Sequence, residues 1–420
     1  SSAELEAAAR LAVGDAGAAH RDADLAKIAL SAPGRASDNL RELALLLERT
    51  NRIESLRSLL FDAEASGIAR EELGYVAAAM ALRDGDATEA SRILKADPFA
   101  DPVRAHRLKS RIAEALGDPD TAFAEAEAMN ASVHDFDEWR LEGARYREGL
   151  RKLASAIATF PVQPVVEPAK RPSPAFLLGF PRSGTTLADT FLMGHPSIRV
   201  VEEEPMLGAA EDVLGGIERL PRSSPETLRQ ARDAYFRLLD EAVGGPFEGV
   251  VIDKLPLNMT RLHLIHALFP DARIIFAQRH PCDAVLSCFM QGFALNAAMA
   301  SFLDISDAAD LYDCAMELFL KSREALPLRT ETLVYEALIE DPESALRPVI
   351  EFLELEWRPE LLDHRATALR RGAINTPSYD QVSEKLSAAP SGRWHRYRNQ
   401  LAPVLEVLLP WAERLGYRQP

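Results

Sequence analysis

Residues 175–187 read Ala-Phe-Leu-Leu-Gly-Phe-Pro-Arg-Ser-Gly-Thr-Thr-Leu: an apolar run closed by Gly179, a loop of small residues, and the start of a helical pattern. A short apolar run followed by such a loop reads as a buried strand feeding a helix N-terminus. That junction is an anion cradle, because successive backbone N–H groups, small side chains and the positive end of a helix dipole converge on one point. Ser183, Thr185 and Thr186 add hydroxyls, Gly184 permits close approach, and Arg182 supplies charge. Gly179 to Thr186 keeps phosphate-loop spacing, but Thr185 stands where a Walker A loop has Lys. A Mg²⁺-dependent kinase or triphosphatase needs that Lys on its β- and γ-phosphates, so the departure counts against one.

Downstream, short apolar runs alternate with helical patterns. Ile198 to Val201 leads into Glu202-Glu203-Glu204-Pro205. Ser224-Pro225-Glu226 supplies an N-cap, a first-turn proline and an early acid for a helix to Val243, stopped by Gly244-Gly245-Pro246. Gly249 to Asp253 reads as a strand ending at Lys254, and Asn258 as the cap of a helix to Phe269. Ala272 to Gln278 is another strand, ending at Arg279, and Pro281 starts a helix through Met290. A helix after Asp307, a strand from Glu331 to Tyr335 and a helix begun by Asp341-Pro342 follow. This alternation predicts an α/β fold, a three-layer parallel sheet covered by helices on both faces. Ligands of such sheets sit beyond the carboxyl ends of the strands, where Arg182, Lys254, Arg279 and Tyr335 all fall.

Upstream, Pro161, Pro164, Pro168, Pro172 and Pro174 exclude a helix or central strand, so 161–174 reads as an extended linker between an all-α domain, 1–160, and the sheet domain, 175–420. Within 1–160, the segments 51–56, 85–90 and 117–122 share a pattern at offsets of 34 and 32 residues. That period resembles tetratricopeptide helix pairs, with Tyr75 as the surviving aromatic. Stacked pairs of this kind offer a concave surface to a peptide or a partner; the alternative is a helical bundle that buttresses the sheet domain.

With 420 residues, 47% hydrophobic and 27% charged, the chain has the composition of a globular protein of two or three domains. No run approaches the ~18 apolar residues of a membrane span. The first residues show no basic-then-apolar leader, so cytoplasmic residence is the default expectation. A formal charge of −16 excludes a broadly basic nucleic-acid surface, and an anionic ligand must meet local cations. The 40 Arg against 8 Lys hint at a GC-rich bacterial source. Cys282, Cys288 and Cys314 have neither disulfide-framework nor zinc spacing, so no metal site is expected.

The PRSGTT loop with its helix resembles the signature of sulfotransferases that use 3'-phosphoadenosine 5'-phosphosulfate (PAPS), tyrosylprotein sulfotransferases most closely. The resemblance covers roughly Phe176 to Tyr417 and implies a P-loop-like sulfotransferase fold, metal-free O-sulfation and 3',5'-ADP as product. It implies that Arg182, Ser183, Gly184, Thr185 and Thr186 hold the 5'-phosphosulfate. Arg279 and Ser287 match the family's R-x7-S pattern for the 3'-phosphate, and Phe269-Pro270-Asp271-Ala272 resembles its FPNA turn. Lys254 aligns with the lysine facing the transferred group. Glu203, 21 residues after Arg182, aligns with the general base, a position that is His in many small-molecule sulfotransferases. Tyr335 resembles the aromatic beside the adenine. Thr376 to Val382 and Ser391-Gly392-Arg393-Trp394 resemble a loop closing over the nucleotide, with Ser391 and Arg393 as phosphate ligands.

Each residue also has a plainer reading: a surface salt bridge for Arg279, a core tyrosine for Tyr335, a solvated acidic turn for 202–204. Three adjacent acids cannot all face one cleft. Gln291 departs from the tyrosylprotein pattern, which has Arg there. The resemblance implies a peptide or protein hydroxyl acceptor, tyrosine first, with a small-molecule or glycan hydroxyl as the alternative and homodimerisation as another role for the repeats. Two further readings stay open: a kinase or triphosphatase, favoured by the Walker B-like Val250 to Asp253, and a non-catalytic repeat scaffold.

Overall fold

A computed structural model describes residues 52–68, 73–95, 101–157, 171–245, 247–370 and 391–418, with Leu40, Leu43, Ala44 and Leu47. The chain forms two compact units; described residues up to Phe136, with Met290–Gly292, make the first, and the second begins at Asp137.

Among its described residues the first unit is built of helices: α1 (Ile53–Ala65), α2 (Gly74–Arg83), α3 (Ala87–Lys95), α4 (Pro102–Ala115) and α5 (Pro119–Ala131). The turns between α2 and α3 and between α4 and α5 are built alike. Gly85 (φ 87°) and Gly117 (φ 79°) take the left-handed conformation that ends the preceding helix. The next residue caps the following helix: Asp86 accepts from Glu89 N (2.9 Å) and Asp118 from Thr121 N (3.0 Å). Ala90 and Ala122, four residues further on, are fully buried, and no larger side chain would let the helices of each pair approach as closely. The 32-residue offset in the sequence is therefore a repeated turn geometry. The start of the earliest copy, Asn51, lies outside the described residues, as does the linker from 161 to 170.

The second unit opens with α6 (Phe136–Ala156), followed by β1 (Ala175–Gly179), α7 (Thr185–Leu192), β2 (Ile198–Glu202), α8 (Met206–Leu214), α9 (Pro225–Val243), β3 (Val250–Lys254), α10 (Leu262–Leu268), β4 (Arg273–Gln278), α11 (Pro281–Phe289), α12 (Ile305–Ala325), β5 (Arg329–Val334), α13 (Tyr335–Glu340), α14 (Pro342–Phe352), α15 (His364–Arg370) and α16 (Leu405–Arg414). The five strands form one parallel sheet in the order β2-β3-β1-β4-β5. Every residue of β1 is buried, as a central strand covered on both faces requires. Phe176 packs against Phe269 and Tyr235, while Phe276 stacks on Phe319 of α12 with ring centroids 4.3 Å apart. A Cβ on Gly179 would lie 2.4 Å from the Ala277 carbonyl oxygen, so only glycine lets β1 leave the sheet this close to β4.

α6 is tied to α12 by an ion-pair ladder: Arg147 bridges Asp307 (2.7 Å) and Asp310 (2.8 Å), and Arg140 also reaches Asp307 (2.9 Å). Three local expectations are corrected. Asn258 caps no α-helix; it sits in a 3₁₀ turn, Pro256–Arg261, and its amide points at Asp253. The long helix starts at Ile305, ahead of Asp307 and not after it, with Asp304 as its cap. Tyr335 opens α13 instead of ending β5. The three cysteines are buried and free.

Candidate active site

Register places the candidate residues at one edge of the sheet. Glu202 pairs with Lys254 at the ends of β2 and β3, Gly179 with Ala277, and Gln278 with Val334. The residues that follow, Phe180–Gly184, Glu203, Arg279 and Tyr335, thus leave the sheet on the same side.

The loop after β1 is compact. Ser183 N donates to the Phe180 carbonyl (3.1 Å), and Ser183, Thr185 and Thr186 are all buried. The first-turn N–H groups of α7 have no acceptor within their own helix and face the loop. Gly184 takes φ 90°, and a Cβ there would lie 2.3 Å from the Tyr335 ring. Glycine is therefore required twice over, by backbone conformation and by the aromatic ring seated on it. Among the described residues four other than glycine have positive φ, and two of them are Arg182 (67°) and Glu203 (55°). Each such residue costs roughly 1–3 kcal/mol, a strain that concentrates at functional sites.

Arg182, Arg279, Ser287 and Tyr335 come together. Arg182 Nε donates to Ser287 Oγ (3.0 Å), Arg279 Nη1 donates to the Arg182 carbonyl (2.8 Å), and the Arg279 guanidinium lies 4.6 Å from the Tyr335 ring centroid. Burial pushes the Arg182 pKa down to about 10, and the neighbouring Arg279 charge adds to that. Two buried guanidiniums side by side concentrate positive charge next to the loop. Ser391 and Arg393 are held near this cluster by an acid that sequence reasoning missed. Asp283 of α11 accepts from the backbone N–H groups of Gly392 (2.7 Å) and Trp394 (2.8 Å). Glu336 makes a second tie, accepting from His280 N (3.0 Å) and from the Tyr417 hydroxyl (2.9 Å). Thr376 to Val382 lies outside the described residues, and Gln291 belongs to the first unit.

Lys254 is wholly buried. Its Nζ lies 2.9 Å from Glu203, 3.4 Å from Asp189 and 3.6 Å from Glu202. Burial by itself would lower its pKa, but the charges of Asp189, Glu203 and Glu202 together outweigh burial and hold it above the ordinary lysine value. Two of the three adjacent acids thus reach one ammonium. Asp189 was missed by sequence reasoning; the signal was an acid inside an otherwise apolar helix. Asp253, next to Lys254 on β3, points to the opposite face, as strand alternation dictates. It accepts from the Tyr235 hydroxyl (2.9 Å), and burial pushes its pKa up to about 7. Its oxygens are turned away from the anion loop, so the Walker B-like sequence does not build a metal-facing acid there. No group of three or more His, Cys, Asp or Glu suited to a metal ion occurs among the described residues.

A profile of the Sulfotransferase family matches residues 174–359. Over those residues the parallel sheet and its flanking helices match a sulfotransferase-like α/β fold. An uncharacterised protein of Aquifex aeolicus (strain VF5) is 29% identical over 252 residues, 57% of this chain and 32% of the relative, so the match spans about a third of that protein. Protein-tyrosine sulfotransferase 1 of Danio rerio is 26% identical over 264 residues (58% of this chain, 71% of the relative), and the Homo sapiens protein of that name is 25% identical, with 69% of its length covered. Among solved structures, the sulfotransferase domain of the Synechococcus PCC 7002 olefin synthase covers 60% of this chain and 98% of its own, at 22% identity and a TM-score of 0.42. The helical segments ahead of the sheet stand outside the profile match.

Proposed function

We propose that this chain is an O-sulfotransferase that takes its sulfuryl group from PAPS. The observation that carries the proposal is the meeting of two anion-binding elements: the 180–186 loop, and Arg279 with Ser287, joined through Arg182. A donor with phosphate groups at both 5' and 3' positions fits such a pair, and the Tyr335 ring, seated on Gly184 beside the Arg279 guanidinium, offers an aromatic surface to a nucleotide base. In this reading Ser183, Gly184, Thr185 and Thr186 hold the 5'-phosphosulfate, Arg279 and Ser287 hold the 3'-phosphate, and Ser391 and Arg393 close on the phosphates. Bound PAPS supplies an activated sulfuryl group. The chain's own residues supply position and charge: the Lys254 ammonium stabilises the negative charge growing on the departing phosphate oxygen, and Glu203 takes the proton of the acceptor hydroxyl as its oxygen bonds to sulfur.

For the acceptor we propose a peptide or protein hydroxyl, tyrosine first. Support comes from the similarity to proteins named protein-tyrosine sulfotransferases, the Glu at the base position and the repeated helix pairs, which we read as tetratricopeptide-like. A tyrosine phenol has pKa about 10, so Glu203 becomes an effective base only as bond formation acidifies the attacking oxygen. The test is labelled PAPS offered with acidic Tyr peptides, simple phenols and sugars to wild type and Glu203→Gln. Label on peptides, reduced about 10²–10⁴-fold by the variant, is expected. Turnover of small phenols but no peptide would end the peptide assignment, and a fully active Glu203→Gln would move the base elsewhere.

A further inference from the structure

We infer that Asp189 is a positioning residue: a fixed, buried counter-ion that holds Lys254 in place and protonated while Glu203 gains and loses its proton. The inference rests on the sulfuryl-transfer reading above. Lys254 has three carboxylates around it, and they are not equivalent. The Glu203 side chain is 42% exposed and that of Glu202 23%, both on the lip where β2 ends, whereas Asp189 is completely buried. Asp189 sits one helical turn into α7, so the helix that begins at the anion loop also carries this acid against the lysine. The Thr190 hydroxyl, which donates to the Thr186 carbonyl (2.7 Å), lies 3.2 Å from Asp189 Oδ1, and Asp189 Oδ2 faces Lys254 Nζ at 3.4 Å.

The chemistry explains why one acid cannot do both jobs. Glu203 is the closest partner of Lys254 at 2.9 Å, yet as the base it must become neutral during turnover. At that moment a buried ammonium that relied on Glu203 alone would face the desolvation penalty uncompensated and would release its own proton. Asp189, favoured as the anion by the ammonium 3.4 Å away and placed out of solvent, takes no proton in the reaction. Lys254 can then stay a cation facing the departing oxygen when that oxygen most needs one.

The chain has only eight lysines, so the full chain labelled with ¹³C at lysine Cε gives a resolvable set of signals, and Lys254→Met assigns the one that matters. Asp189→Asn is expected to lower the Lys254 titration midpoint by at least one pH unit. The alkaline limb of the transfer rate should move down with it, while 3',5'-ADP affinity stays within about twofold. Asp189→Glu should restore most of the midpoint, and Glu202→Gln should shift it by less than half as much as Asp189→Asn. An unchanged midpoint in Asp189→Asn, or an equal shift in Glu202→Gln, overturns the inference. If Asp189→Asn does not fold, the double variant Asp189→Asn/Lys254→Met should, because it removes both buried charges; its failure to fold would assign Asp189 to packing and also overturn the inference. Wild type that moves no sulfuryl group to any acceptor defeats the transferase reading, whereas the lysine titration separately decides whether Asp189 holds Lys254.

Discussion

The two sides of the candidate site handle charge in opposite ways. Around the anion loop two guanidiniums, Arg182 and Arg279, are buried beside each other, with a serine hydroxyl and a backbone carbonyl among their acceptors. Around Lys254, three carboxylates lie within 3.6 Å of one ammonium. Two neighbouring guanidiniums add their fields toward an incoming anion, whereas an ammonium outnumbered by carboxylates acts only on what touches it. Under the proposed function the first side supplies affinity and the second acts on the reacting atom. This division fits a donor held at its phosphates and attacked at its sulfur.

If the division is real, substitutions on the two sides should dissociate. The largest effect is expected for Arg279→Ala, which should weaken 3',5'-ADP binding by roughly 2–5 kcal/mol in isothermal titration, since a phosphate loses a charge-assisted donor. Equal affinity in the variant would place the 3'-phosphate elsewhere. Lys254→Met should do the reverse, lowering kcat about 10²–10³-fold while leaving 3',5'-ADP affinity within about threefold. Loss of affinity without loss of kcat would erase the distinction between the sides.

A smaller effect sharpens the contrast between the two faces of β3. Asp253 has its folded pKa raised to about 7, so its favourable contribution is fully present below its unfolded pKa near 4 and is lost as pH rises through 7. Asp253→Asn has no such titration. Relative to wild type, its unfolding free energy should therefore grow by about 3 kcal/mol between pH 4.5 and 7, as read from urea melts at each pH. A constant difference across that window would mean that Asp253 is ionised throughout, and with it that this face holds a charge as the Lys254 face does.

The legible part of the fold was the part that local chemistry dictates. Gly184 tolerates neither a different backbone conformation nor a Cβ, and Ser224-Pro225 caps its helix as written, with Gly244 ending it in the left-handed conformation. The strand ends carrying Lys254 and Arg279 were legible because short apolar runs between helices have few alternatives. The illegible part consists of partners that only the fold brings together. Asp283 lies 109 residues from Gly392, and Asp189 lies 65 residues from Lys254 along the chain. Neither has a local pattern that marks it. Asp304 and Asp307 are both acids at the start of one helix; Asp304 caps it, while Asp307 pairs with Arg140 and Arg147 of α6. Asn258 has the residue type of a cap, yet its amide serves the buried Asp253.

The most direct measurement is a pair of titrations on the full chain: 3',5'-ADP in EDTA, and ATP with Mg²⁺. Two buried guanidiniums flanking the anion loop predict tight, metal-independent binding of 3',5'-ADP and markedly weaker binding of Mg-ATP. Tight Mg-ATP binding with no heat from 3',5'-ADP would contradict the account.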